Sequence, residues 1–322
     1  MDRGGDQAFR ALNPREHWAE MTYGGALSFL RRRYTRELAG VDVAVMGFPY
    51  DASVTYRPGC RLGPRAIRAA SVQLAELKAF PWGFDLLESL AVVDRGDAML
   101  DPHHPATVAP AIEAAAAEVI ASGARLLALG GDHFVAWPLL RAHAAKYGPL
   151  ALVHFDAHGD LWPDDPGRID HGTMMGRAIR EGLVDPARST QVGIRTFHDS
   201  AEGLEILTAP WVHRHGIEAA LAIIAERAGG APVYLSFDID GLDPAFAPGT
   251  GTPVPGGLAS WQALELVRGL APLDLVGMDL VEVSPPFDHA EITALAAAHV
   301  AHDWLCVLAA KAGAVPQAVG RL

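Results

Sequence analysis

The chain has 322 residues, half of them hydrophobic and a fifth charged, with 26 Lys plus Arg against 38 Asp plus Glu and a formal charge of −12. That balance gives a phosphate backbone little to hold and excludes nucleic acid as a partner, while the apolar content suits one large buried core rather than disorder. Only Cys60 and Cys306 occur, far apart and outside any metal-ligand spacing, no basic start with an apolar stretch opens the chain, and no apolar run reaches the roughly 18 residues of a bilayer span, so the expectation is a reduced, cytoplasmic protein with no membrane partner.

Val41 to Gly47 (VDVAVMG) predicts the first core strand, and Gly63 and Pro64 open a helix through AIRAASVQLAELKAF, with Pro at a favoured first-turn position. The loop Asp51 to Leu62, punctuated by Gly and Pro, joins them. Next come a strand over Leu90 to Asp94, an Ala-rich helix from about Thr107 to Ala121, a strand over Arg125 to Leu129 and a helix over Trp137 to Lys146. The pattern continues with a strand over Leu150 to Phe155, a helix near Thr173 to Glu181, a strand over Thr190 to Ile194, a helix over 216–228 and a strand over 233–237. After the loop PAFAPGTGTPVPGG follow a helix over Ser260 to Leu270, a strand over Asp274 to Asp279, and a last long helix from about His289, where Asp288 and Glu291 have capping-box spacing. Such alternation predicts an α/β fold, a three-layer α/β/α sandwich around a mostly parallel sheet. No linker, low-complexity stretch or fixed-period repeat divides residues 1–322, which read as one domain with an N-terminal arm over about 1–35.

Two segments, His154 to Asp160 (HFDAHGD) and Ser236 to Asp243 (SFDIDGLD), set Asp and His at alternate positions straight after apolar strands. In an extended backbone alternate side chains share a face, so Asp156, His158 and Asp160 can converge, as can Asp238 and Asp240. LLALGGDHF adds His133 at a third strand end. Ligands bind at the carboxyl ends of parallel strands, and these six groups form a candidate two-metal ligand set. Paired divalent ions lower the pKa of a shared water until a strong nucleophile exists near neutral pH. One Asp after a strand ordinarily caps a helix or braces a turn, but four converging carboxylates cannot be buried without cations. Oxygen ligands mixed with two imidazoles favour manganese over copper or thiolate-bound zinc.

GGDH, HFDAHGD, SFDIDGLDPAFAPGTGTPVPGG and GMDLVEVSPP together resemble the signature segments of the ureohydrolase family, which includes arginase and agmatinase, and the likeness spans most of the chain. RPGCRLGPRAIR, DHGTMM, QVGIRT, VRGL and EITALAAA resemble agmatinases more than arginases. The resemblance implies two Mn2+ per subunit, one surrounded by His133, Asp156, Asp160 and Asp238, the other by Asp156, His158, Asp238 and Asp240. It further implies that Asp160 accepts a proton from the nucleophile, that His171 in DHGTM shuttles protons, and that Glu282 in LVEVSPP engages the guanidinium. These last two roles make chemical sense, because a leaving amine needs a proton and a planar cation suits a bidentate acid. A small guanidinium substrate, agmatine first among them, and a homo-oligomer, a trimer or hexamer, follow from the same resemblance.

Gly159 stands where the family usually has Thr or another small polar residue, and Trp162 follows it in an atypical run. A guanidino acid such as guanidinobutyrate or guanidinopropionate is the alternative substrate, with Arg57 or Arg61 to balance its carboxylate. Deacetylation of an acetylpolyamine, which needs one metal, is the remoter alternative. His154 and Asp279 are expected to support the site, Asp132 to bind backbone, and Asp243 to brace its loop. His198, His213, His215, His289, His299 and His302 have no motif around them and read as structural or surface residues.

Overall fold

Eight short apolar runs pair into one sheet, in the order β2-β1-β3-β8-β7-β4-β5-β6, and every pairing between neighbours is parallel. The computed structural model describes residues 22–75, 77–165 and 167–317. In chain order the strands are β1 (Val43–Phe48), β2 (Val92–Asp97), β3 (Arg125–Gly130), β4 (Ala151–Phe155), β5 (Thr190–Ile194), β6 (Glu205–Thr208), β7 (Pro232–Asp238) and β8 (Asp274–Val281). β1, β4 and β5 are buried throughout, and β3, β7 and β8 are buried beyond their first residue, as parallel strands covered on both faces require.

Helices cover both faces. On one lie α1 (Gly63–Ser71), α5 (Ala209–His215), α6 (Ile217–Ala228), α7 (Ser260–Gly269) and α8 (Ile292–Lys311), whose Ile67, Val212, Ile224, Leu266 and Trp304 share a core with Val45, Leu127, Val153 and Leu235. On the other lie α2 (Val108–Ala121), α3 (Ala136–Tyr147) and α4 (Met174–Arg180), packing Ile112, Leu139 and Met175 against Ala44, Leu126 and Leu152. The expected three-layer α/β/α sandwich is therefore the observed one. α8 is long and apolar enough to cross a membrane by length and composition alone, but most of it is buried against the sheet.

Three local expectations need correction. The first helix ends at Ser71 and does not run on to Phe80, because Ser71 Oγ turns back to the Arg68 carbonyl at 2.8 Å and accepts the Leu30 N–H at 2.8 Å. β6 and α5 lie between Ile194 and residue 216, a stretch for which the sequence pattern predicts no element. The edge strand has four residues, too few for a period, and α5 starts on Thr208, whose Oγ1 accepts the Trp211 N–H. The capping box at α8 does not form. Ala290 and Glu291 are left-handed at φ 51° and 60°, the helix begins at Ile292, and Asp288 alone accepts the Thr293 and Ala294 N–H groups at 3.0 and 3.1 Å. Of the expected arm, residues 1–21 lie outside the described residues; Phe29 and Leu30 are buried, and the Phe29 N–H binds Asp94 Oδ2 at 2.7 Å.

Candidate active site

Four neighbouring strands, β3, β8, β7 and β4, end on one side of the sheet, and the chain leaves them through His133, Glu282, Asp238 and Asp156 respectively. One step below those ends runs a polar row across the sheet. Gln191 pairs in register with His154, His154 with Ser236, and Ser236 with Asp279. The strand period of two sets this row on the same face as the groups above it.

The row fixes the imidazoles. Ser236 Oγ donates to Asp279 Oδ1 at 2.8 Å, so it can only accept from His133 Nε2 at 2.9 Å, which puts a proton on Nε2 and makes Nδ1 the nitrogen that can serve as a ligand. That buried nitrogen makes no hydrogen bond, yet Asp156 Oδ2 and Asp160 Oδ2 lie 3.1 Å away and Asp238 Oδ2 3.2 Å away. Burial disfavours a charge on that ring, but the three acids push His133 well up, so a proton stands there where a cation held by the same three oxygens and the bare nitrogen would fit. Gln191 Nε2 donates to the Gly159 carbonyl at 2.7 Å, which fixes its amide, and reaches His154 Nδ1 at 3.0 Å. His154 therefore donates from Nε2 to Asp156 Oδ2 at 2.8 Å, a supporting contact as expected.

The second half of the set is built alongside. His158 Nδ1 lies 3.2 Å from Asp156 Oδ1 and 3.1 Å from Asp240 Oδ2. The two oxygens of Asp156 thus face two different imidazoles, and the residue stands between the two halves of the set. Asp238 Oδ1 accepts the Asp240 N–H at 2.8 Å and Asp240 Oδ1 the Ala157 N–H at 3.0 Å, so each turn orients its own acids. Arg195 locks the Asp240 turn, giving its guanidinium protons to the carbonyls of Asp240, Leu242 and Val254 at 2.7, 3.1 and 2.6 Å.

Electrostatics agree with cation binding. Burial, with Asp240 and Asp156 beside it, pushes Asp238 well above the usual carboxylate range, and burial with Asp156 pushes Asp160 up. Against its own burial, Asp156 is held well below that range by His133, His154 and His158. Burial would lower His158, but Asp240 and Asp156 push it up to about 12. Protons compensate this crowd of charge, and a divalent cation does so with more charge in the same place.

His171 and Glu282, treated as separate groups in the sequence, touch: Nδ1 lies 2.9 Å from Glu282 Oε1. Glu282 sits at φ 63° and Asp160 at φ 52°, both strained for residues with a Cβ. Glu282 Oε1 also accepts the His133 N–H at 2.8 Å, whereas its buried Oε2 has no hydrogen-bond partner. Above the ligands opens a cavity of about 110 Å³ lined by Thr55, Trp162, His171, Gly172 and Thr252 together with His133, His158, Asp160 and Asp238. Trp162 forms one wall, its ring 6.2 Å from that of His158, and a Cβ on Gly172 would collide with it. No Arg or Lys lines the cavity among the described residues. Arg61 is paired with Asp51, and Arg57 lies 5.1 Å from the ring centres of both Tyr56 and Phe287.

GGDH proves to be three devices. A Cβ on Gly131 would strike the Tyr50 carbonyl, Asp132 accepts the Ser53 N–H at 2.9 Å, and His133 enters the cluster. Asp243 braces its loop through the N–H groups of Ala245, Gly256 and Gly257. Thr55, Ser236 and Gln191 were not singled out in the sequence. Ser236 could have been, since it shares the parity of Asp238 and Asp240; Thr55 carries no such signal.

Residues 41–306 match the model of the arginase family. An agmatinase of Chromobacterium violaceum is 59% identical over 306 residues, covering 94% of this chain and 95% of that protein. A crystal structure titled as a hypothetical agmatinase from Burkholderia thailandensis superposes with a TM-score of 0.90 at 58% identity, over 91% of this chain and 93% of the other. Proclavaminate amidino hydrolase from Streptomyces clavuligerus gives 0.86 at 38% identity, over 90% and 99%. With two imidazole-centred carboxylate sets at the strand ends and a family match that takes in every one of those ligands, the chain belongs to the arginase family.

Proposed function

We propose that the chain is an agmatinase, a hydrolase that cleaves the guanidinium of agmatine to urea and putrescine with two Mn2+ per subunit, held by His133, Asp156, Asp160 and Asp238 and by Asp156, His158, Asp238 and Asp240. The observation that carries this reading is Asp156, whose two oxygens each face a different imidazole. A deacetylase of the one-metal kind would have no use for His133, Asp160 and Asp240. When bound, the two ions supply the acidity that makes a water nucleophilic near neutral pH. Asp160 takes the proton that this water loses. Glu282 holds and orients the guanidinium, its unpartnered Oε2 being the kind of acceptor that a planar cation satisfies. His171 carries a proton to the departing amine.

The tail decides between substrates. A guanidino acid would bring its carboxylate to a cavity lined by acids, imidazoles, threonines and an indole, and both arginines considered for it are engaged elsewhere. An alkyl ammonium meets no such penalty and can lie along Trp162. The agmatinase match at 59% identity supports the same choice. Exposed Leu77, Phe80 and Trp261 around α7 support a homo-oligomer, its size of trimer or hexamer being inferred from the family resemblance alone, and the setting inferred is the cytoplasm. Urea release after manganese loading, measured with agmatine, arginine, 4-guanidinobutyrate and 3-guanidinopropionate, tests the reading. Agmatine should give the highest kcat/KM, and a preference for either guanidino acid would refute it.

A further inference from the structure

Thr55 lies in the loop between β1 and α1, exposed at the mouth of the cavity. The loop is pinned on both sides of it. Asp132 Oδ2 accepts Ser53 N–H at 2.9 Å and Ser53 Oγ–H at 2.5 Å, and Asp51 Oδ2 accepts Gly59 N–H at 2.8 Å. Held there, the Thr55 backbone N–H points at His171 Nε2 over 3.1 Å, with Thr55 Oγ1 2.9 Å from the same nitrogen. The opposite ring nitrogen, Nδ1, is 2.9 Å from Glu282 Oε1.

A backbone N–H can only donate, so its bond to Nε2 requires a lone pair there; an ionised carboxylate can only accept, so the single ring proton belongs on Nδ1. The hydroxyl of Thr55 adapts to either partner. We propose that Thr55 is a positioning residue whose backbone N–H holds His171 neutral and protonated on Nδ1, with a basic Nε2, until the reaction supplies a proton. The ring would take up at Nε2 the proton that Asp160 has accepted from the attacking water and pass it to the nitrogen of the departing amine, returning to its starting form with no net change.

Other groups act on the ring as well. Burial disfavours its charged form, while Glu282, Asp160 and Asp132 favour it, and together they push the imidazole up to about 9. The Thr55 amide opposes that pull, since charging Nε2 would set two N–H groups against each other, and divalent cations nearby would act in the same direction as the amide.

The inference rests on the proposed role of His171 in guanidinium hydrolysis, but its test does not need turnover. Nitrogen NMR of the histidine-labelled chain loaded with diamagnetic Mg2+, with the His171→Asn variant to assign the signal, reads the proton position directly. At pH 7 the expected spectrum has Nδ1 protonated and Nε2 bare; a proton on Nε2, or on both nitrogens, would overturn the inference. Thr55→Val, which keeps the amide, should leave the His171 titration midpoint in place, whereas Thr55→Pro, which deletes it, should raise the midpoint by about one pH unit. Equal shifts in the two variants would also overturn it. If Thr55→Pro does not fold, the wild-type spectrum still decides. A wild-type spectrum of the expected form with no urea from agmatine would fault the functional reading and leave the role of Thr55 standing.

Discussion

Two buried groups of titratable side chains occupy opposite layers of this molecule, and they solve the problem of burial in different ways. At the strand ends, His133, Asp156 and Asp160 meet with a ring nitrogen turned toward carboxylate oxygens and bonded to none of them. On α8, His302, Asp303 and Cys306 come as close together. There, however, Asp303 Oδ2 receives the Arg268 Nε–H at 2.8 Å, burial drives the Cys306 thiol well up, and burial drives His302 down to about 4. Burial also pushes Asp303 up to about 7 against the pull of Arg268, so the helical cluster holds one acid beside its guanidinium, an uncharged ring and an uncharged thiol, with little charge left over. The strand cluster sets four carboxylates, Asp156, Asp160, Asp238 and Asp240, around His133, His154 and His158, more acid than three imidazoles can balance. Proximity of ligand-type atoms is therefore common to both, and what separates a metal centre from a structural cluster is uncompensated charge with a lone pair aimed at it.

The sharpest way to break this comparison is to remove one acid from each cluster. Asp156→Ala should strip both ions, measured as bound manganese per chain, and cut urea production by about three orders of magnitude or more. Asp303→Asn should leave manganese content and kcat unchanged while costing about 1 to 2 kcal/mol in denaturant unfolding, because Arg268 loses its buried partner and keeps Glu265 at 2.7 Å. Manganese loss in the Asp303 variant, or full occupancy in the Asp156 variant, would erase the distinction.

A smaller effect separates ligands from the groups that orient them. Ser236→Ala leaves every proposed ligand in place but frees His133 Nε2, so the ring can turn or take the other tautomer. Manganese affinity should weaken by roughly 10- to 100-fold with kcat recovering at saturating metal. An unchanged affinity would mean that the three carboxylates alone hold the ring.

The strand ends were legible because a period of two writes the site into the chain: Asp156, His158 and Asp160 announce a shared face in seven residues, and Asp238 with Asp240 repeats it. Ser236 obeys the same parity and went unread because a hydroxyl inside a strand has an ordinary explanation. Thr55 was out of reach for another reason. Its contact with His171 spans 116 residues and uses a backbone N–H, which no side-chain pattern records. The α8 trio has helical spacing of one and four, and Arg268, which neutralises it, lies 35 residues away from Asp303 on another helix. The β6 edge strand and the end of α1 were misread where a tertiary partner set the boundary, Leu30 on Ser71 being the plain case.

A last effect concerns pH and reads the helical cluster without touching the site. His302 is pushed down to about 4 by burial, next to His299 and Arg268, against an unfolded value near 6.5. Between those two values the unfolded chain binds a proton there and the folded chain does not, so stability rises with pH across the window and is lost as pH falls through it. The full contribution is about 3 kcal/mol, present above the unfolded value and gone below the folded one. Replacing His302 with Met removes the titration while keeping an apolar chain of similar reach. Unfolding free energies of wild type and His302→Met, measured from pH 7.5 to 4 at fixed metal concentration, should therefore converge or cross as pH falls. Their difference cancels the carboxylates that titrate in both proteins. Parallel curves would mean that His302 already carries a charge in the fold, and the helical cluster would then be no more self-compensated than the site at the strand ends.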